Sequence, residues 1–256
     1  MLKKQNKFAA VVAVAGILVM AVALSGCAEE EEKVIVGTSA DFAPFEYKED
    51  GKIVGFDIEL IKEILKDQGY DKIEIRDMDF GTLIGALKQG KIDVIAAAMT
   101  ITDEREQEID FSDPYYEADQ SIIVRKNSNI QLDKNQDLQN YSVGAQTGTT
   151  GAGWIEENLV NNGTMPADDF ERYSKYTLAL QDLINGKIDA IVLDKPVARA
   201  FERSEDVKII STIETGEEYG FGVKEGRDGL LEDINNGLNN IKDTETWDDL
   251  VAKYFE

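Results

Sequence analysis

The sequence predicts an α/β fold in two lobes, and two observations lead to this prediction. From Val34 onward, short apolar runs typical of strands alternate with amphipathic stretches typical of helices, which is the pattern of sheets covered by helices. The stretch 83–95 also returns at 178–191, with the same order of apolar helix, glycine, Lys-Ile-Asp and apolar strand. Two copies of one helix–strand unit indicate two lobes built on one plan.

The individual elements follow from the spacing of apolar residues along the chain. In 56–67, for example, Ile58, Ile61 and Leu65 recur at helical spacing. The predicted strands are 34–37, 73–76, 94–97, 121–124, 141–144, 190–193, 208–210 and 220–223. The predicted helices are 56–67, 82–89, 149–158, 177–184, 195–203, 229–241 and 246–254.

The repeated unit also predicts how the lobes are divided. Its helices end at Gly90 and Gly186, where glycine favours a left-handed C-cap. A weaker repeat pairs 34–37 with 141–144, each of which ends in glycine. We place the first lobe at 34–124 and 220–256 and the second at 125–219, with two crossover strands as the hinge. A ligand would then bind between the lobes, outside the carboxyl ends of the strands.

Composition excludes several classes of function. Lys and Arg total 27 against 50 Asp and Glu, a net charge of -23, and such a surface repels phosphate backbones, so no nucleic-acid partner is predicted. Histidine is absent, which removes Ser-His-Asp and Cys-His catalytic arrangements and most zinc sites. The single cysteine, Cys27, excludes an intramolecular disulfide and a multi-cysteine metal site. No metal or cofactor is predicted.

The N-terminus has the pattern of a targeting segment. Lys3, Lys4 and Lys7 precede an apolar stretch at 8–24, which predicts a signal peptide over 1–26. This apolar stretch is at the lower limit of a bilayer span, so an uncleaved anchor helix is the alternative. The sequence Leu-Ser-Gly-Cys that ends at Cys27 resembles the lipobox of prokaryotic lipoproteins. That resemblance implies a lipid on Cys27, an acidic tether over 27–33 and anchoring to the outer face of the cell membrane.

Six motifs occur in the order found in one protein family. They are GTSADFAPFEY, GFDIEL, GKIDVIAAAMTITDER, FSDPYY, TGTT and GKIDAIVLDKP. The ordered set resembles the amino-acid-binding proteins of ABC importers, the polar amino-acid branch of the type II periplasmic-binding-protein fold, over nearly all of 34–255. The resemblance implies that each lobe is a mixed sheet flanked by helices. It also implies a monomeric, non-enzymatic receptor that closes over an L-amino acid and delivers it to an ABC permease.

The resemblance assigns residues to the carboxylate of such a ligand. Arg105 can present two donors to a carboxylate, and the matching Arg in the family clamps the α-carboxylate. Thr149 and Thr150 resemble a second carboxylate-binding element at a helix start. From the residues alone, Arg105 could equally be an exposed side chain in an acidic run. The TGTT stretch could be a flexible turn with a Thr N-cap.

The ammonium of the ligand needs acceptors. Asp194 follows a predicted buried strand and can accept a charge-assisted hydrogen bond, as its family counterpart does. The alternative is that Asp194 caps the helix predicted at 195–203. Ala98 and Thr100 match positions that offer a backbone carbonyl to the ammonium and hydroxyl or N–H groups to the carboxylate. Many relatives have Gly or Ser where this chain has Ala98, so only its backbone can contact the ligand.

Aromatic and polar residues are assigned to the ligand side chain. Phe42 and Phe80 match two aromatics that sandwich it in the family, although each could instead be a core residue. Such a slot suits a guanidinium, an amide or the stem of Lys. Ser39 stands where relatives with basic ligands have an acid, so that partner is missing. Four other residues could replace it: Asp41, Glu46, Gln120 and Gln146. We expect arginine or lysine as the ligand, with glutamine next.

An enzyme on the same scaffold is the alternative from another class, because some dehydratases of prephenate-like acids resemble these binding proteins. It would need a carboxyl group with a raised pKa in the cleft, acting as a general acid. Glu46 and Asp194 are the candidates, and an ammonium partner explains Asp194 better. A third alternative is a sensor domain that would signal through a partner.

Overall fold

The computed structural model describes residues 33–256. The predicted signal peptide, the lipidation site Cys27 and the tether up to residue 32 lie outside the described residues. The strands are β1 (Lys33–Thr38), β2 (Tyr47–Glu49), β3 (Lys52–Val54), β4 (Lys72–Asp77), β5 (Val94–Ile95), β6 (Asp110–Phe111), β7 (Tyr116–Arg125), β8 (Val143–Gln146), β9 (Phe170–Tyr173), β10 (Ala190–Asp194), β11 (Val207–Tyr219) and β12 (Gly222–Val223). The α-helices are α1 (Phe56–Asp67), α2 (Leu83–Lys88), α3 (Asp103–Glu106), α4 (Thr150–Ile155), α5 (Tyr176–Ile184), α6 (Lys195–Ser204), α7 (Asp228–Ile241) and α8 (Glu245–Phe255). Over this part of the chain, no helix is long and apolar enough to cross a membrane.

Two five-stranded sheets form the two lobes and share one arrangement. Their strand orders are β4-β1-β5-β12-β6 and β9-β8-β10-β7-β11. In each sheet the first three strands are parallel, and the last two are antiparallel to their neighbours. These mixed sheets flanked by helices confirm the predicted α/β fold with two lobes.

The internal repeat extends to individual hydrogen bonds. Gly90 and Gly186 have φ of 68° and 74°, so both helices end in the left-handed conformation that glycine tolerates best. In each copy, the Asp of Lys-Ile-Asp accepts a hydrogen bond from a backbone N–H within or directly before the neighbouring parallel strand. Asp93 accepts from Ile35 at 2.9 Å, and Asp189 accepts from Ser142 at 3.2 Å. The same side chain thus joins the same two elements in each lobe.

Two segments connect the sheets, at 112–115 and 220–221. They run side by side, because the N–H of Ser112 donates to the carbonyl of Phe221 at 2.9 Å and that of Tyr115 to Tyr219 at 3.0 Å. These are the two crossovers expected from the sequence.

One predicted bound of the lobes is wrong. The strand predicted at 121–124 falls in the first lobe by the sequence division, whereas β7 pairs with β10 and β11 in the second sheet. An apolar run shows that a strand is buried, but it does not show which sheet the strand joins. Other bounds of the lobes stay predictions.

Several short elements were absent from the sequence prediction. These are the hairpin of β2 and β3, the strands β6 and β9, and the helix α3. They are two to four residues long and mostly polar on one side, so they lack the apolar periodicity that identifies an element. The hairpin and α3 nevertheless flank the cavity described below.

Candidate functional site

One cavity between the two lobes contains all ten residues that the sequence predicts as ligand contacts. Its volume is about 290 Å³, including its opening to solvent. The lining residues are Ser39, Phe42, Glu46, Phe80, Ala97, Ala98, Thr100, Arg105, Gln146, Thr149, Thr150 and Asp194. They lie at the carboxyl ends of β8 and β10 or in the segments that follow β1, β4, β5 and β8. The contact of each residue with a ligand stays a prediction.

A tight loop after β1 positions Phe42 and Glu46. The N–H of Phe42 donates to the carbonyl of Glu46 at 2.7 Å, and that of Glu46 donates back at 3.3 Å. Gly55 allows this loop to fold against the start of α1, because its φ is 132°. A Cβ at Gly55 would lie 2.1 Å from the carbonyl oxygen of Phe45. Glycine at this position therefore lets the loop close and brings both side chains to the cavity.

The two predicted aromatic residues both line the cavity, but each has a different partner. The ring of Phe42 stacks on Tyr176 from the second lobe, with centroids 5.5 Å apart and planes at 28°. The ring of Phe80 lies under Arg105, whose Cζ is 5.5 Å from the ring centroid. Tyr176 is fully buried and was absent from the sequence prediction. Tyr176 is the first residue of α5 and follows a polar stretch, so the sequence around it gives no sign that it is buried. Its burial depends on the contact between the two lobes.

Arg105 connects the two lobes. It lies on α3, which begins after Thr102, whose side chain accepts the N–H of Arg105. Its guanidinium donates to the carbonyl of Thr100 at 2.5 Å in the first lobe. It also donates to the carbonyl of Gly148 at 2.9 Å in the second. Burial lowers the pKa of the guanidinium, but an Arg stays protonated at neutral pH. The cavity therefore holds a fixed cation that can bind a carboxylate.

Thr149 and Thr150 lie at the start of α4 and have separate roles. The hydroxyl of Thr149 accepts the N–H of Ala152 at 3.2 Å, which confirms the alternative that this residue is an N-cap. It also donates to the carbonyl of Gln146 at 2.8 Å. The hydroxyl of Thr150 instead donates to Glu217 at 2.7 Å.

Asp194 belongs to a buried acidic network. Asp194 occupies the N-cap position of α6, as the alternative predicts, but its side chain makes no capping hydrogen bond to the helix. Its Oδ1 accepts from Gln120 Nε2 at 2.9 Å and from the hydroxyl of Tyr219 at 2.7 Å. Burial, followed by repulsion from Glu217, raises the pKa of Asp194 to about 7. A positive group from a ligand would relieve both effects.

Ala98 has a strained backbone that a buried acid holds in place. Its φ is 45°, in the left-handed region that a residue with a Cβ rarely adopts. Its N–H donates to Asp57 Oδ2 at 2.7 Å, and the hydroxyl of Tyr115 donates to the same oxygen at 2.6 Å. Burial raises the pKa of Asp57 to about 7. Asp57 thus fixes a turn whose backbone is predicted to contact the ligand.

Of the four candidates to replace the acid missing at Ser39, Glu46 is the acid that lines the cavity. The other candidates are committed elsewhere, since Asp41 accepts from Ser39 at 3.2 Å and from the N–H of Thr177 at 3.5 Å. The amide of Gln146 donates to the carbonyl of Ser174, and Gln120 belongs to the Asp194 network. Glu46 is 1% exposed, and its Oε2 has no hydrogen-bond partner among residues 33–256.

The electrostatics of Glu46 indicate what it would bind. Burial raises the pKa of Glu46 well above its usual value, and repulsion from Asp57, Asp41 and Asp194 adds to the effect. An unsatisfied buried acid costs free energy that a cation or a donor can recover. In the described part of the chain, no group of three or more Cys, Asp or Glu residues could hold a metal ion.

Gly148 lies against Gly81 of the other lobe, and alanine there is expected to weaken ligand binding. Its φ is 82°, and an added Cβ would lie 3.2 Å from Cα of Gly81 in the other lobe. We expect Gly148→Ala to lower the affinity for the ligand about tenfold, because strain and contact with Gly81 oppose closure. Isothermal titration calorimetry measures the change.

Gly153→Ala is the matched control for Gly148→Ala. Gly153 lies on the same short helix, and no other heavy atom would lie within 4 Å of its Cβ. Alanine there should stabilise the helix by up to about 1 kcal/mol and leave affinity unchanged. Equal affinities of both variants and the wild type would show that the Gly81–Gly148 approach does not limit closure.

Comparison with known proteins shows what the chain is similar to. A family model described as bacterial extracellular solute-binding proteins, family 3, matches residues 34–256. The arginine-binding extracellular protein ArtP of Bacillus subtilis (strain 168) is 37% identical over 234 residues, which are 90% of this chain and 89% of that protein. The structure of an ancestral arginine-binding protein bound to arginine is 40% identical with a TM-score of 0.80, covering 88% of this chain and 98% of that one. A structure titled as an ancestral arginine-binding protein bound to glutamine is 41% identical with a TM-score of 0.80, covering 87% and 97%. The likeness spans both sheets and the cavity.

Proposed function

Because the chain belongs to the bacterial extracellular solute-binding proteins of family 3, we propose that it captures an amino acid with a cationic side chain, of the arginine or lysine type, for an ABC permease. The protein is an amino-acid-binding protein that acts outside the cytoplasm, and it is not an enzyme. The ten predicted residues would make the contacts. Arg105 would bind the α-carboxylate, Asp194 the α-ammonium and Glu46 the distal cation.

The charge of the cavity supports a cationic side chain. Among its lining residues, Arg105 is positive and Glu46 and Asp194 are acids. An amino acid brings one carboxylate and one ammonium, which match Arg105 and Asp194. Glu46 is then left without a partner, and its buried Oε2 is the observation that carries the proposal. A guanidinium or an ε-ammonium completes the balance, whereas an acidic side chain would add repulsion.

Glutamine is the second candidate. Burial raises the pKa of Glu46 well above its usual value, so a protonated Glu46 could form hydrogen bonds with a neutral amide. The likeness to the glutamine-bound ancestral protein favours this alternative as well.

A ligand screen tests the proposal. The chain from Ala28 onward is unfolded and refolded to remove carried-over ligand. It is then assayed by thermal shift against the twenty amino acids with ornithine and citrulline. A ligand that binds the native state raises the midpoint of unfolding. We expect shifts with arginine, lysine or ornithine. A shift with glutamine alone would support the second candidate, and no shift with any of them would overturn the amino-acid site.

Glu46→Gln separates the two candidates. Loss of a buried charge-assisted hydrogen bond, about 1.5 to 3 kcal/mol, should lower the affinity for arginine or lysine about 20-fold. The affinity for glutamine should change less than about threefold, because a glutamine side chain at position 46 can still bond an amide. Calorimetry on both ligands measures the ratio. The control is Glu49→Gln in the exposed β2 strand, and an equal loss for both ligands would exclude Glu46 as the partner of the distal cation.

We also propose that the protein is a monomer anchored through a lipid on Cys27. A lipid-modified Cys27 would place the protein in the detergent phase of a membrane extract. We expect the Cys27→Ser protein to lack the additional mass of the lipid and to leave the membrane fraction, with ligand binding unchanged. Retention of the variant in the membrane would support the uncleaved anchor helix instead.

A further inference from the structure

Glu217 lies on β11, the strand that leads from the second sheet back to the first. It is 7% exposed, although it is followed by the exposed Glu218. The pairing of β11 with β7 is irregular between Ile213 and Glu217. This irregularity, which includes Gly216 at φ of 60°, sets the alternation that turns Glu217 inward and Glu218 outward. An acid is thereby buried at the point where the two lobes meet.

The carboxylate of Glu217 receives three side-chain donors. Its Oε2 accepts from the hydroxyls of Thr100 and Thr150, each at 2.7 Å. Its Oε1 accepts from Gln120 Nε2 at 3.0 Å. Both threonines line the cavity, whereas Glu217 itself does not. Glu217 therefore affects the cavity through the two hydroxyls, in addition to its repulsion of Asp194.

The two hydroxyls belong to different lobes. Thr100 follows β5 of the first sheet, and Thr150 opens α4 after β8 of the second. Thr100 nevertheless lies beside β11, because it pairs with Tyr219 in an isolated β-bridge and the N–H of Ile101 donates to the carbonyl of Glu218 at 2.8 Å. Glu217 therefore joins one hydroxyl from each lobe at the point where β11 returns to the first sheet.

The hydrogen bonds also fix the polarity of both hydroxyls. A threonine hydroxyl has one hydrogen and two lone pairs. Since each hydrogen is donated to Glu217, Thr100 and Thr150 can offer only lone pairs to a group in the cavity. Lone pairs attract an ammonium and repel a carboxylate. The hydroxyls thus serve the positive end of an amino acid, and its carboxylate is left to Arg105 and backbone N–H groups.

We propose that Glu217 is a positioning residue that orients Thr100 and Thr150 as acceptors for the α-ammonium of the ligand. The inference rests on the proposed function, since it concerns an amino acid in this cavity. Glu217 would thus favour ligands that have an α-amino group without contacting the ligand itself. Glutamine at position 217 can donate to a threonine oxygen through its amide, which frees the hydroxyl hydrogen to turn into the cavity.

The test compares arginine with 5-guanidinopentanoic acid, which lacks only the α-amino group. For the wild type, we expect arginine to bind much more tightly than this analogue. Glu217→Gln should weaken arginine about tenfold or more, mainly through faster dissociation, and should weaken the analogue far less. The ratio of the two affinities should therefore shrink about fivefold or more. A merely structural role for Glu217 would weaken both compounds equally. If arginine does not bind, lysine and 6-aminohexanoic acid form the equivalent pair.

Two further variants make the outcome decisive. Glu218→Gln changes the exposed neighbour and should retain the wild-type ratio. Thr150→Val removes one oriented hydroxyl while leaving Glu217 in place, and should lower the ratio if Glu217→Gln does not fold. A wild-type ratio in both Glu217→Gln and Thr150→Val would overturn the inference while leaving the proposed function intact. Failure of the wild type to bind either amino acid would instead overturn the cationic ligand.

Discussion

Replacing Arg105 with alanine is expected to cause the largest loss of affinity at this site. The guanidinium is held by carbonyls of both lobes, Thr100 and Gly148, and lies over the ring of Phe80. Removing one member of a buried charge pair costs about 2 to 5 kcal/mol, since the carboxylate of the ligand is then buried without a partner. The affinity should therefore fall by roughly 30-fold to several thousand-fold. Calorimetry with the best ligand of the screen measures it.

Two companion variants show whether the loss comes from the carboxylate contact. Arg105→Lys keeps the charge but loses the planar pair of donors, so its affinity should lie between those of the wild type and Arg105→Ala. Arg203→Ala removes an exposed Arg on α6 and should have no effect. If Arg105→Ala binds as tightly as the wild type, the carboxylate of the ligand must be bound elsewhere.

The parts of the fold that could be predicted are those with a strong local signal. The helix at 56–67 was predicted with the same bounds, because its apolar residues repeat at helical spacing and α1 buries that side. The two repeated units were predictable because Gly90 and Gly186 must take a conformation that other residues resist. Such signals depend on a few neighbouring residues.

The site was predictable where it follows the ends of strands. Thr100, Arg105 and Asp194 were identified because they come after apolar strands in motifs that the family shares. Glu46 was only one of four candidates, since its burial depends on the way Gly55 packs against Phe45.

Glu217 and Tyr176 could not be predicted because their surroundings are made by distant parts of the chain. Glu217 contacts residues 67 and 117 positions away, and the sequence shows only an acid beside another acid. Tyr176 meets Phe42 across the cleft. Both positions are explained by the approach of the two lobes, which no local pattern records.

The buried acids give the protein without ligand an unusual dependence on pH. Burial raises the pKa of Asp194 and that of Asp57 to about 7, and it raises the pKa of Glu46 as well. An unfolded Asp loses its proton near pH 4, so between about pH 4 and 7 the folded chain holds protons that the unfolded chain has lost. The free energy of unfolding should therefore fall as the pH rises through this range. Glu74, whose pKa is lowered to about 2 by Arg76 and Lys33, acts in the opposite direction only at lower pH.

Asp194→Asn is expected to separate stability from binding. Asparagine keeps an acceptor for Gln120 and Tyr219 but cannot ionise, so the unliganded variant should melt at a higher temperature than the wild type at pH 8. At that pH its affinity for the ligand should be lower by about 30-fold or more, because the ammonium loses a buried carboxylate.

In the wild type the affinity for the ligand should rise from pH 5 to 8, since below about pH 7 the ligand must displace the proton of Asp194. In the variant this rise should be smaller. Thermal melts and calorimetry at pH 5, 6.5 and 8 measure both trends, with the exposed Asp168→Asn as the control. An affinity that is independent of pH in the wild type would show that Asp194 is already ionised before the ligand arrives, and its carboxylate would then be stabilised by Gln120 and Tyr219 alone.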